Sequence, residues 1–247
     1  MRTLPRAAAL VTAVVLAAAP TLAAGPASAS TAPYSLHYMS LSNGKKVVAR
    51  WNPCRAHGYK VNLASVPAAA RPTVLAETHA AIRVLAAKTG MTFTYKGATA
   101  EVPRQGSYVK QSADIIIAYT TPAKTNFSLA GSTAGLGGFA GGWKSTSSWK
   151  STSNGWTTTY TAGINKGYLV VDTPDLLKHF KPGFGTGVRR GNLLLHELGH
   201  VVGLGHVSNA RLLMNPTLSS YTPNGYAAGD AAGLALVGRK AGCITGW

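Results

Sequence analysis

Hydrophobic and polar positions alternate along Tyr59-Lys60-Val61-Asn62-Leu63, within a strand signal that runs from Lys45 to Leu63. A helix is predicted next. Pro72 suits its first turn, and Leu75, Ile82 and Leu85 share one face with Thr78 between them. The helix runs to about Lys88, with Gly90 just past its end. Met91 to Tyr95 alternates as a second strand. Ala-Asp-Ile-Ile-Ile-Ala-Tyr, from Ala113 to Tyr119, is the strongest strand signal and reads as buried on both faces. Tyr168 to Val171 predicts another short strand. Asp172-Thr173-Pro174-Asp175 then has the form of a helix N-cap, so those carboxylates are read as structural. A further helix begins near Val188, and a last one covers about Ala227 to Val237, before Gly238.

The stretch from Gly131 to Gly167 breaks this rhythm. It is rich in Gly, Ser, Thr and Trp and contains a short duplication: Trp143-Lys144-Ser145-Thr146-Ser147, then Trp149-Lys150-Ser151-Thr152-Ser153. It is too short for a separate domain. One reading is an exposed hairpin or loop at a sheet edge. Another is a carbohydrate or cell-wall contact through Trp143, Trp149 and Trp156.

The start of the chain reads as a secretory signal. Arg2 and Arg6 precede the apolar run Ala7 to Ala19, and Ala27-Ser28-Ala29 has the form of a cleavage site. That run is short for a membrane span. The predicted organisation is a signal peptide over residues 1–29 and a single domain over 30–247, secreted, extracellular and expected to be monomeric. Without Arg2 and Arg6, 22 basic residues face 7 acidic ones, a formal charge of +15. Such an excess favours anionic partners: acidic proteins, cell-wall polymers or membrane surfaces. No nucleic-acid recognition motif accompanies it. Outside the cytoplasm, Cys54 and Cys243 are expected to pair. The alternative is that Cys54 caps a metal as a thiolate.

The densest chemistry is His196-Glu197-Leu198-Gly199-His200-Val201-Val202-Gly203-Leu204-Gly205-His206, which reads H-E-x-x-H-x-x-G-x-x-H. His196 and His200 are four apart, so a helix puts both imidazoles on one face. Gly203 can end the helix and turn the chain back, bringing in His206 as a third ligand. Three protein ligands leave a fourth position for water, the catalytic rather than the structural zinc pattern. One zinc ion is expected. Glu197 is placed to reach water rather than metal. Calcium is not supported, because the few carboxylates do not cluster. His37, His57, His79 and His179 stand alone in sequence and are read as surface or packed residues.

The zinc motif is followed by Leu213-Met214-Asn215-Pro216. From Leu193 to Leu218 the chain resembles the metzincin metallopeptidases, and among them the matrixins. The resemblance implies an α+β fold: a twisted five-stranded mixed sheet with helices, and an active-site cleft above a small C-terminal subdomain. It implies that Met214 lies under the three imidazoles. It implies also that a strand from Asn215 to Leu218 walls the pocket for the side chain after the scissile bond. Pro216-Thr217-Leu218 departs from the family's usual Pro-x-Tyr. Asp230 stands in a D-x-x-G context like that of the aspartate that braces the family's Met turn. A tyrosine assists catalysis in astacins, but Tyr221 lies too far beyond Met214 to match it.

Together these features predict a secreted zinc-dependent endopeptidase acting on protein or peptide substrates, with Glu197 as general base. Two other readings stay open: a hydrolase of cell-wall peptide cross-links, and a non-catalytic binding protein on the same scaffold. The intact Glu197 argues against the second, since a structural metal site needs no base.

Overall fold

The computed structural model describes residues 33–107, 110–150 and 155–244. The predicted signal peptide lies outside these residues. The Lys45–Leu63 signal resolves into two strands, β3 (Lys46–Arg50) and β4 (Ala56–Asn62), because the turn around Pro53 interrupts it. They follow two short strands, β1 (Ser35–Leu36) and β2 (Tyr38–Ser40). Helix α1 (Arg71–Thr89) ends at Gly90, whose φ of 68° is the left-handed cap that glycine adopts without strain. Its buried stripe contains Val74, Thr78, Ala81 and Leu85; Leu75 lies at the edge, outside the buried set. Thr78 is tolerated inside because its hydroxyl bonds the Val74 carbonyl at 2.8 Å and the Tyr119 hydroxyl at 2.6 Å.

Next come β5 (Thr92–Ala98), β6 (Ile115–Thr120), β7 (Gly135–Lys150) and β8 (Gly155–Asp172). Every residue of β6 is buried, as its apolar run predicts. The Gly131–Gly167 stretch is largely an antiparallel hairpin, β7 against β8. Tyr168–Val171 is only the apolar end of the much longer β8. Three helices complete the chain: α2 (Thr173–His179), α3 (Arg190–Val201) and α4 (Ala228–Val237), with the two-residue β9 (Leu204–Gly205) between the last two. Asp172 caps α2 by accepting from the Asp175 N–H at 3.3 Å.

The sheet is mixed. Strands β5, β4, β6 and β8 are parallel neighbours, and β7 lies antiparallel on the far side of β8. These five match the expected number. β3 pairs in parallel with the first half of β8, and β2 pairs with β3, so the sheet has seven strands. The main core, between one sheet face and helices α1 and α3, includes Val61, Ile117, Leu169, Ile82, Leu85, Leu194 and Leu198. A smaller core on the other face holds Ile116, Tyr168 and Val170 under Phe127 and Leu129. Trp51, fully buried, donates its indole N–H to the Val201 carbonyl at 2.8 Å and so ties the β3–β4 turn to the end of α3.

Cys54 and Cys243 form a disulfide, so Cys54 is not a metal-capping thiolate. Asn52 reinforces the link through the Ile244 carbonyl at 3.0 Å and the Ile244 N–H at 3.3 Å. Among the described residues no helix is long and apolar enough to cross a membrane.

Candidate metal centre

Helix α3 is buried along its length, from Gly191 to Val201. His196 and His200 project from one face, one turn apart. The chain reverses at Gly203, where φ is +108° and a Cβ would lie 2.6 Å from the Ala49 carbonyl oxygen. Glycine is required there on both counts. The reversal carries His206 back toward the helix. The Nε2 atoms of His196 and His206 lie 3.2 Å apart, as do those of His196 and His200. Among the described residues this is the one group of three or more such side chains close enough to share a metal ion.

The opposite ring nitrogens are committed. His196 Nδ1 donates to the Leu213 carbonyl at 2.7 Å, and His200 Nδ1 donates to the Leu204 carbonyl at 2.8 Å. A carbonyl only accepts, so each Nδ1 carries the hydrogen and each Nε2 presents its lone pair to the centre. Burial pushes His196 down to about 4, helped against by its carbonyl partner, and pushes His206 down to about 3, with His196 and His37 adding to the effect. His200 is lowered for the same reason. Neutral imidazoles converging through lone pairs are the donor set that zinc takes.

Glu197 is fully buried. Its Oε2 accepts the Gly137 N–H at 2.7 Å, while Oε1 has no partner. Burial pushes the carboxyl up to about 8, against the pull of the Gly137 N–H. The glycine run of β7 makes this approach possible. A Cβ at 135 would lie 3.1 Å from Glu197 Cγ, and one at 137 would lie 2.1 Å from the Glu197 carbonyl oxygen. Sequence reading missed Gly137, since a backbone N–H leaves no residue-type signal; the glycines at 135 and 137 were the one available hint.

Met214 is buried beneath the helix, and a Cβ on Gly199 would come within 2.5 Å of its sulfur. Asp230 holds this turn through the Leu213 N–H at 2.8 Å and the Met214 N–H at 3.2 Å, and its own helix through the Ala227 N–H at 2.9 Å. Burial raises the Asp230 carboxyl against those three donors. Residues 215–218 form no strand; Thr217 makes a single β-bridge. Pro216 has no N–H to pair, and Asn215 turns its side chain onto the Thr217 N–H at 3.1 Å and the Val207 carbonyl at 3.3 Å. Leu218 is buried in the main core. Tyr221 is 67% exposed on the following loop.

The remaining histidines divide. His57 packs edge-on against Trp51, His79 bonds the Tyr59 hydroxyl at 2.7 Å, and His179 lies 3.9 Å from Asp175. His37, isolated in sequence, is not isolated in space: its ring centroid lies 6.0 Å from that of His200.

Comparison with known proteins agrees with this geometry. No curated protein matches the chain. The sequence profile of the matrixins, a family of zinc-dependent endopeptidases, matches residues 50–234, which include α3, the reversal at Gly203, the Met214 turn and most of α4. The chain belongs to the matrixin family.

Proposed function

We propose that the chain is a secreted endopeptidase in which His196, His200 and His206 hold one zinc ion and Glu197 is the general base. The observation that carries this reading is the meeting of three imidazole Nε2 atoms beside a buried carboxyl with one unpartnered oxygen. When bound, zinc supplies a Lewis acid that brings the pKa of water toward ~7 and polarises a carbonyl oxygen. The protein does the rest. The Gly137 N–H fixes Oε2 of Glu197, which leaves Oε1 to take a proton from the attacking water. The new C–O bond forms at the scissile carbonyl carbon. The same carboxyl then delivers that proton to the departing amine nitrogen as the C–N bond breaks.

Strand β7 presents the substrate side. Among the described strands it pairs only with β8, so its other edge is open to an extended peptide. Residues 215–218 wall the pocket on the Leu213 side of the triad. The disulfide suits an oxidising compartment outside the cytoplasm. The domain boundary is set at Ser30, with residues 30–247 as a single catalytic unit.

The test is expression with the native leader and recovery from the medium. The secreted protein should begin at Ser30, contain about one zinc per chain and cleave a quenched-fluorescent peptide library without further processing. Zinc without cleavage would move the weight to a binding protein or to a hydrolase of wall peptides, which assays on purified walls would separate. Activity that appears only after a second N-terminal cut would overturn the boundary.

A further inference from the structure

The family match begins at residue 50, yet the chain before it is built into the centre. β1 pairs antiparallel with β9, Ser35 with Gly205 and Leu36 with Leu204, so this segment runs beside the loop that carries His206. His37 follows directly. Its N–H donates to the Gly203 carbonyl at 2.8 Å, and its carbonyl accepts from the Ala49 N–H at 2.9 Å. The backbone of His37 is thus fixed on both sides. Glycine makes the approach possible: a Cβ at 205 would lie 2.7 Å from the Ser35 hydroxyl.

The ring held in this way stands between two landmarks. Its centroid is 6.0 Å from that of His200 and 5.7 Å, edge-on, from that of Phe139. Phe139 follows Gly137 by two positions on β7, and Gly137 is the residue that fixes Glu197. Side chains two apart on a strand share a face. His37 and Phe139 therefore flank the centre one strand step from the base. They lie on the His200 side, whereas Leu213 and residues 215–218 begin at His196. The Nε2 of His37 is enclosed and has no hydrogen-bond partner. A buried polar atom without a partner points to a ligand or water that supplies one.

We propose that His37 is a specificity-determining residue: with Phe139 it forms the subsite for substrate residues that precede the scissile bond. A non-polar side chain packs against the two rings, and the imidazole turns its Nε2, enclosed in the free protein, onto the substrate main chain. This inference rests on the peptidase reading above and on residues 215–218 walling the opposite side.

The test compares two peptides that are identical after the scissile bond, one carrying four residues before it and the other only one. In the secreted enzyme, His37→Leu should lower kcat/KM about 10–100-fold on the long peptide and less than about 2-fold on the short one. His37→Gln, which restores a donor and an acceptor, should recover part of the loss. Zinc content and Tm should stay at wild-type values. In a Glu197→Ala background, the Kd of the long peptide, read by fluorescence anisotropy, should rise by a similar factor when His37→Leu is added. Phe139→Ala leaves the backbone anchors of His37 intact and should show the same long-peptide loss, which covers a failure of His37→Leu to fold. No loss, or equal loss on both peptides, overturns the proposal. A wild type that cleaves neither peptide sinks the peptidase reading instead, while the anisotropy measurement still tests the subsite.

Discussion

His196, His200 and His57 are alike in burial and opposite in use. In the first two, Nδ1 is given to a backbone carbonyl and Nε2 is turned toward another imidazole. At His57 the arrangement is reversed. Nε2 meets the Asn52 carbonyl at 3.0 Å, Nδ1 has no partner, and the ring stands 4.7 Å from Trp51. Burial keeps both regions neutral. Burial pushes His57 down to about 4, with the Arg55 charge adding to it and the Asn52 carbonyl and Asp114 opposing. What separates a ring of the triad from a packing residue is where the second nitrogen points, not how deep the ring lies.

Each side of this comparison can be attacked separately. The largest effect is expected at the centre. Glu197→Gln should cut kcat by roughly 10²–10⁴, about 3–5 kcal/mol, with zinc content unchanged by emission spectrometry. A variant that keeps full activity would remove the base assignment. On the other side, the disulfide anchors the turn that contains Asn52, the hydrogen-bond partner of His57. Replacing both cysteines by serine should cost about 2–5 kcal/mol in urea melts and leave the kcat of the folded fraction near wild type. A collapse of kcat would show that the two regions are coupled.

The third effect is a pH dependence. His57 titrates near 6.5 when unfolded and about 4 when folded, so its contribution is complete above pH 6.5. The contribution falls as pH drops from 6.5 toward 4, by up to about 3 kcal/mol, and is level below that. His57→Phe should flatten the difference between melts at pH 7.5 and 4.5; an unchanged slope would assign acid sensitivity elsewhere. The smallest effect is expected behind the triad. Asp230→Asn weakens the acceptor of three backbone N–H groups and should cost about 1–3 kcal/mol in thermal melts, with weaker zinc retention during chelator titration.

How much of this was legible follows from which atoms carry the work. The triad could be read because side chains at fixed offsets make it. Helix α1 and strand β6 could be read because apolar periodicity builds them. β7 and most of β8 could be read only as a hairpin or loop at a sheet edge, without strand bounds, since Gly, Ser and Thr carry little burial signal and backbone pairing alone extends the hairpin. The Gly137 N–H belongs to the same blind spot. His37 was invisible for another reason: its neighbours in space, Phe139 and His200, are far along the chain, and only the β1–β9 pairing brings them together. The irregular path of residues 215–218 was misjudged because the resemblance suggested a strand where Pro216 and the Asn215 side chain favour turns.

The pinned ends of the described chain carry a last consequence. Ser35 and Leu36 are stitched to β9, and Cys243 is bonded to Cys54. Frayed ends are where digestion of a folded protein begins, because a protease needs several residues of free chain to bind. A member of an endopeptidase family is itself a chain that its own copies could cut. Fastening Ser35, Leu36 and Cys243 to the domain leaves a neighbouring copy less free chain there on which to begin, so resistance to self-digestion is written partly into residues outside the metal centre.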